Sequence, residues 1–123
     1  MNQHLLMIED DARLAAMVAQ YLEQSGFTVR CAGDGQSGLE QARKLKPDLI
    51  LSDVMMPGMS GPELLERLSA IAPRARAILM SGHAESTVLP QRPAMQWAFL
   101  PKPFTPERLA RKVREILDTP RPD

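Results

Sequence analysis

The sequence is poor in several features that would otherwise decide its class. It has one cysteine, Cys31, so an internal disulfide is excluded and a reducing cytoplasm suits it. That cysteine reads as a small buried apolar side chain on a strand rather than a reactive thiol. No apolar run reaches the roughly 18 residues that a membrane span requires. The opening residues, MNQHLLMIEDD, contain no Lys or Arg and turn acidic at once, so no secretory signal is expected. Net charge is also missing: fifteen basic residues balance fifteen acidic ones, which argues against nucleic-acid binding through overall charge. What remains is a chain of 123 residues, 44% hydrophobic, a length that suits one domain burying roughly two thirds of its unfolded surface.

Five short apolar runs alternate with amphipathic segments. The strand candidates are His4–Glu9, Thr28–Cys31, Asp48–Asp53, Arg76–Ser81 and Trp97–Leu100. DLILSD and RAILMS are near-continuous rather than alternating, as strands covered on both faces should be. Helical stripes are expected at Leu14, Met17, Val18, Tyr21 and Leu22, and at Leu109, Val113, Ile116 and Leu117. Leu64, Leu65, Leu68 and Ile71 form another, and Leu39, Ala42 and Leu45 a weaker one. Thr105 precedes Pro106 as a cap precedes the first helical residue, and Gly61-Pro62 has a similar sense. Five of the eleven prolines fall between Pro90 and Pro106, so the fourth helix is expected to be short or irregular, from about Ala84 to Leu89. Such a series predicts an α/β fold, a parallel sheet with helices on both sides.

In such sheets the functional crevice lies at the carboxyl ends of the strands. Strand one ends in Glu9-Asp10-Asp11, strand three in Asp53, strand four in Ser81, and Lys102 follows strand five. Carboxylates this close raise one another's pKa unless a cation intervenes, and one lysine is too few. A hard divalent ion such as Mg²⁺ fits the remainder, while the lack of a Cys/His cluster argues against zinc. An aspartate beside Mg²⁺ and a lysine can attack a phosphoryl group and become an aspartyl phosphate. Plainer roles exist for each piece taken alone. Glu9-Asp10-Asp11 could cap a helix, Asp53 and Ser81 could be turn residues, and Lys102 could be solvated.

The motifs EDD at Glu9–Asp11, SDVMMPGMSG at Ser52–Gly61, MSGH at Met80–His83 and LPKPF at Leu100–Phe104 occur in order, each at a strand end. Together they resemble the receiver domain of two-component response regulators, the CheY-like family, over nearly the whole chain. The resemblance implies a flavodoxin-like doubly wound (βα)5 fold with sheet order 2-1-3-4-5, the topology of flavodoxin and of CheY itself. It implies Asp53 as phosphoacceptor. Asp10 and Asp11 would hold Mg²⁺ (with Mn²⁺ as an alternative), joined by Asp53 and the backbone carbonyl of Met55. Ser81 would be the switch hydroxyl, Lys102 would pair with phosphoryl oxygens, and the Lys102–Pro103 peptide would be cis. Phe99 would be the aromatic that changes rotamer, with Trp97 on the same side of the strand, packed beneath the fourth helix.

The resemblance also implies a partner that donates from a phosphohistidine, either a sensor histidine kinase or a histidine phosphotransfer protein. It implies no direct nucleic-acid or membrane contact, and a monomer or weak dimer. Pro90 and Pro93 depart from the family pattern in the fourth helix and put dimerisation through that face in doubt. The resemblance also places His83 and Met55 at positions that tune phosphoryl lifetime in the family. Two rivals fit less well. A phosphatase or phosphotransferase would want a second aspartate where Met55 stands and a lid insertion. A flavin- or nucleotide-binding domain would want a Gly/Ser/Thr-rich loop where Glu9-Asp10-Asp11 stands. The expected organisation is a receiver domain over residues 1–118 and a tail or linker start over 119–123, either a stand-alone relay protein or one domain of a longer regulator or hybrid kinase.

Overall fold

The apolar runs become strands because their residues can bury both faces at once. In the computed structural model, residues 3–53, 55–56, 59–72, 75–81, 97–101 and 104–118 are described, with backbone alone at 55–56, 59–62, 65, 81, 97 and 101. Strands β1 (His4–Ile8), β2 (Thr28–Ala32), β3 (Leu49–Asp53), β4 (Arg76–Ser81) and β5 (Trp97–Pro101) form one parallel sheet. Their order is β2-β1-β3-β4-β5, the expected doubly wound arrangement. Every residue of β3 is buried. A short antiparallel ladder, Met55–Met56 with Met59–Ser60, follows it directly.

Side-chain alternation divides the core in two. Leu5, Met7, Leu49, Leu51, Ile78 and Met80 face helix α1 (Ala12–Gln24) and the C-terminal helix (Pro106–Asp118). Leu6, Ile50, Ala77 and Leu79 face α2 (Gly35–Leu45) and α3 (Gly61–Ile71). Asp11 caps α1 by accepting the N–H groups of Arg13 and Leu14 at 3.0 and 3.2 Å. Asp34 caps α2 through the N–H of Ser37 at 2.7 Å. Thr105 Oγ1 accepts the N–H of Arg108 at 3.1 Å, the cap expected before Pro106. Gly26, at φ 101°, turns the chain from α1 into β2 in a region that L side chains rarely enter.

Three sequence expectations are corrected. Met17 is 50% exposed, because the buried stripe of α1 runs through Ala15, Val18 and Leu22 instead. A small alanine can sit closer to the sheet than a methionine can. Leu45 is 38% exposed, since it ends α2 just before Lys46 takes the left-handed conformation at φ 49°. Cys31 is exposed on the edge strand β2, although Val29 and Ala32 of the same strand are buried. The expected irregular fourth helix, with Pro90 and Pro93, lies outside the described residues, as do His83, the Lys102–Pro103 peptide and the 119–123 tail. Among the described residues, no helix is long and apolar enough to cross a membrane.

Candidate functional site

Parallel pairing brings the ends of β1 and β3 side by side. Ile8 pairs with Ser52, so Glu9 and Asp53 are the next residues along neighbouring strands. Both are buried, at 3% and 6% exposure, although a charge taken out of water is costly. Exposed Asp10 completes the group: one carboxylate oxygen from each of Glu9, Asp10 and Asp53 lies within 4.8 Å of the others. The loop after β1 is folded tightly enough for this. The Glu9 N–H donates to Ala32 O at 3.0 Å, and Glu9 Oε2 accepts the N–H of Asp11 at 3.0 Å.

Asp11 is not in that group. Its Oδ1 holds the first turn of α1, and its carbonyl accepts the N–H of Ala15 at 2.9 Å. Three consecutive acids cannot all face the crevice, and the one that begins the helix is turned to capping. Glu9 stands in the group instead. The signal for this was present in the sequence, because an N-cap preference at Asp11 leaves Glu9 as the acid continuing the buried strand. The donor set is oxygen only and carries three negative charges when ionised. That is the chemistry a hard divalent cation requires, so the residues fit Mg²⁺.

The other candidates are placed in part. Met55 follows Asp53 closely and pairs with Ser60 in the short ladder. Ser81 ends β4 opposite Pro101, on the same edge of the sheet, with its side chain outside the description. Phe99 pairs with Leu79 in the sheet and is half-buried against the α2/α3 side of the core. It also lines a groove with Arg108, Arg111 and Lys112 of the C-terminal helix. Trp97 begins β5 opposite Ala77. Lys102 lies outside the described residues. Cys31 is a weak competitor as a nucleophile: partial burial of its sulfur, then the nearby Glu23 carboxylate, raises the thiol pKa above its ordinary value. A thiol held protonated at neutral pH reacts slowly.

The comparisons agree with this architecture. A receiver domain protein from Methanospirillum hungatei, described as CheY-like, superposes with a TM-score of 0.85 at 28% identity, covering 96% of this chain and 95% of that one. The receiver domain of the hybrid histidine kinase CckA superposes at 0.80 with 32% identity, covering 94% and 99%. By sequence, the chain is 37% identical over 117 residues to the sensor kinase CckA of Brucella abortus, covering 93% of the chain and 12% of that protein. It is 34% identical to the DNA-binding response regulator MtrA of Mycolicibacterium paratuberculosis, covering 95% of the chain and 52% of that protein. The chain thus spans about half, or far less, of the length of these relatives. The family described as response regulator receiver domain matches residues 5–114. A parallel sheet of order 2-1-3-4-5, an acidic trio at its carboxyl edge and this match place the chain in the response regulator receiver domain family of two-component signalling.

Proposed function

We propose that the chain is a phosphorylation-dependent switch that accepts a phosphoryl group from a phosphohistidine partner onto Asp53. The observation that carries this reading is the trio itself, two buried carboxylates and one exposed within 4.8 Å at the carboxyl edge of the sheet. Glu9, Asp10 and Asp53 would hold a Mg²⁺ ion, with the Met55 carbonyl as a further oxygen donor and Asp11 left to cap α1. When bound, the ion supplies charge neutralisation for the phosphoryl oxygens.

The chain's own residues do the rest. Burial at the end of β3 fixes the Asp53 backbone through the ladders that pair Ser52 with Ile8 and Asp53 with Met80, so its carboxylate meets the incoming phosphorus in one orientation. An Asp53 oxygen bonds to phosphorus as the phosphorus–nitrogen bond of the donor imidazole breaks. The imidazole keeps that electron pair and takes up a proton. Lys102 pairs with the transferred oxygens, Ser81 donates a hydrogen bond to one of them, and Phe99 changes its packing in response. The partner is a sensor histidine kinase or a histidine phosphotransfer protein, the domain extends to Asp118, and the setting is cytoplasmic.

Incubation with Mg²⁺ and acetyl phosphate tests the reading by intact mass. One phosphoryl group should be added to the wild type and none to Asp53→Asn. Equal labelling of the variant would remove Asp53 from the role. Lys102→Ala should leave Mg²⁺ affinity nearly unchanged while blunting the conformational response, and an undiminished response would contradict the lysine's part.

A further inference from the structure

Ile8, the last residue of β1, is fully buried and pairs with Ala32 on one side and Ser52 on the other. The next residues along the two central strands are the buried carboxylates Glu9 and Asp53. Helix α2 packs against Ile8 at Gly38. A Cβ placed there would overlap Ile8 Cδ1 outright and lie 2.8 Å from Cγ1 and 3.3 Å from Cγ2. Real side chains do not approach so closely. Glycine inside a helix is unfavourable beside alanine, so its place here asks for a reason. The Ile8 side chain fills the space that a Cβ would need.

Ile8 has little freedom to retreat. It belongs to the same buried cluster as Leu6, Leu39, Ile50 and Leu79, and close-packed cores pass on added volume as displacement. The backbone beyond it is held too, because Glu9 N–H is bonded to Ala32 O. A methyl group added at position 38 must therefore move α2 or the end of β1. The second movement displaces Glu9.

We propose that Ile8 and Gly38 are a volume-matched pair that positions Glu9 for the acidic trio. Neither touches the ion or the phosphoryl group; both act through the place where β1 ends. The inference rests on reading the trio as a metal site.

The test is titration with Mn²⁺ as the probe, followed by calorimetry, alongside metal-free thermal melts. Gly38→Ala should weaken Mn²⁺ binding about three- to tenfold, since sites tolerate displacements of only about 0.5 Å. Adding Ile8→Val, which removes the Cδ1 methyl and leaves Cγ1 in place, should recover part of the lost affinity. Wild-type affinity in Gly38→Ala, or a double variant as weak as the single, overturns the pairing. If Gly38→Ala alone is unfolded, a double variant that folds and binds Mn²⁺ supports the pairing, and a double variant that is also unfolded overturns it. Glu9→Gln and Asp53→Asn serve as controls. If neither weakens Mn²⁺ binding, the metal reading falls; if both do and Gly38→Ala does not, the positioning role alone falls.

Discussion

Two charged side chains are buried at opposite poles of the sheet, and they keep opposite company. Arg76 opens β4 at 8% exposure, and its Nη1 donates to the carbonyls of Ile116 and Leu117 at 2.7 and 2.5 Å, at the end of the C-terminal helix. A cation there meets unsatisfied carbonyls and the negative end of a helix dipole, so its charge is matched by the fold. Asp53 closes β3 at 6% exposure beside two further carboxylates. Those two neighbours carry charge of its own sign. Arg76 is seated on carbonyls at one end of the sheet, while Asp53 shares the other end with two carboxylates, an oxygen donor set that suits an added cation. That contrast separates structural from chemical ionisable residues where burial alone does not.

Substitutions at the two poles should break the comparison in different ways. The largest stability effect is expected from Arg76→Ala, which strands two helix carbonyls and empties packed space. It should cost about 3 kcal/mol and lower Tm by about 10 °C in a thermal melt, while phosphoryl labelling of the folded fraction stays at wild-type stoichiometry. Glu9→Gln should leave Tm close to wild type but weaken Mn²⁺ binding at least tenfold, about 1.4 kcal/mol. Asp53→Asn removes a like charge from the trio, so metal-free stability should rise by about 1 kcal/mol in a denaturant titration. A fall instead would mean that contacts of Asp53 within the fold outweigh the repulsion of its two neighbours. Asp11→Ala should show the reverse pattern to Glu9→Gln, losing about 1 kcal/mol of stability with the helix cap while metal affinity changes less than about twofold.

The smallest effect concerns pH. The folded chain holds the Cys31 proton to higher pH than the unfolded chain does, because partial burial and Glu23 raise the thiol pKa. The resulting stabilisation is complete below the unfolded thiol's pKa and is lost as pH rises through the folded one. Stability curves for wild type and Cys31→Ser should therefore run parallel below about pH 8 and converge or cross above it, with the variant losing less.

Much of this fold was legible in the sequence, for a physical reason. Strands covered on both faces must be apolar throughout, so LILSD and RAILMS marked the centre of the sheet, and the observed strands begin and end within one residue of the expected limits. Edges were harder to read. Cys31 has the composition of a core residue, but it lies on an edge strand where only Val29 and Ala32 are buried. Met17 and Ala15 both fit a helical stripe, and only the approach of the sheet favours the smaller one. The acidic edge was found from strand ends alone. Choosing between Glu9 and Asp11 turned on the N-cap preference of the acid that begins α1, a signal that a uniform run of three acids masks. Gly38 gave no sign at all, because its meaning lies in a contact with Ile8, far away along the chain.

Helix ends ordinarily fray. The last turn of the C-terminal helix is tethered to the sheet by Arg76, while its first turn, at Thr105 and Pro106, lies just beyond the end of β5. Thirteen residues make a rod of about 20 Å, pinned at the tip remote from the acidic edge. Gliding of this rod along its own axis would break both bonds to Arg76 and unseat Leu109, Val113 and Ile116 from the core.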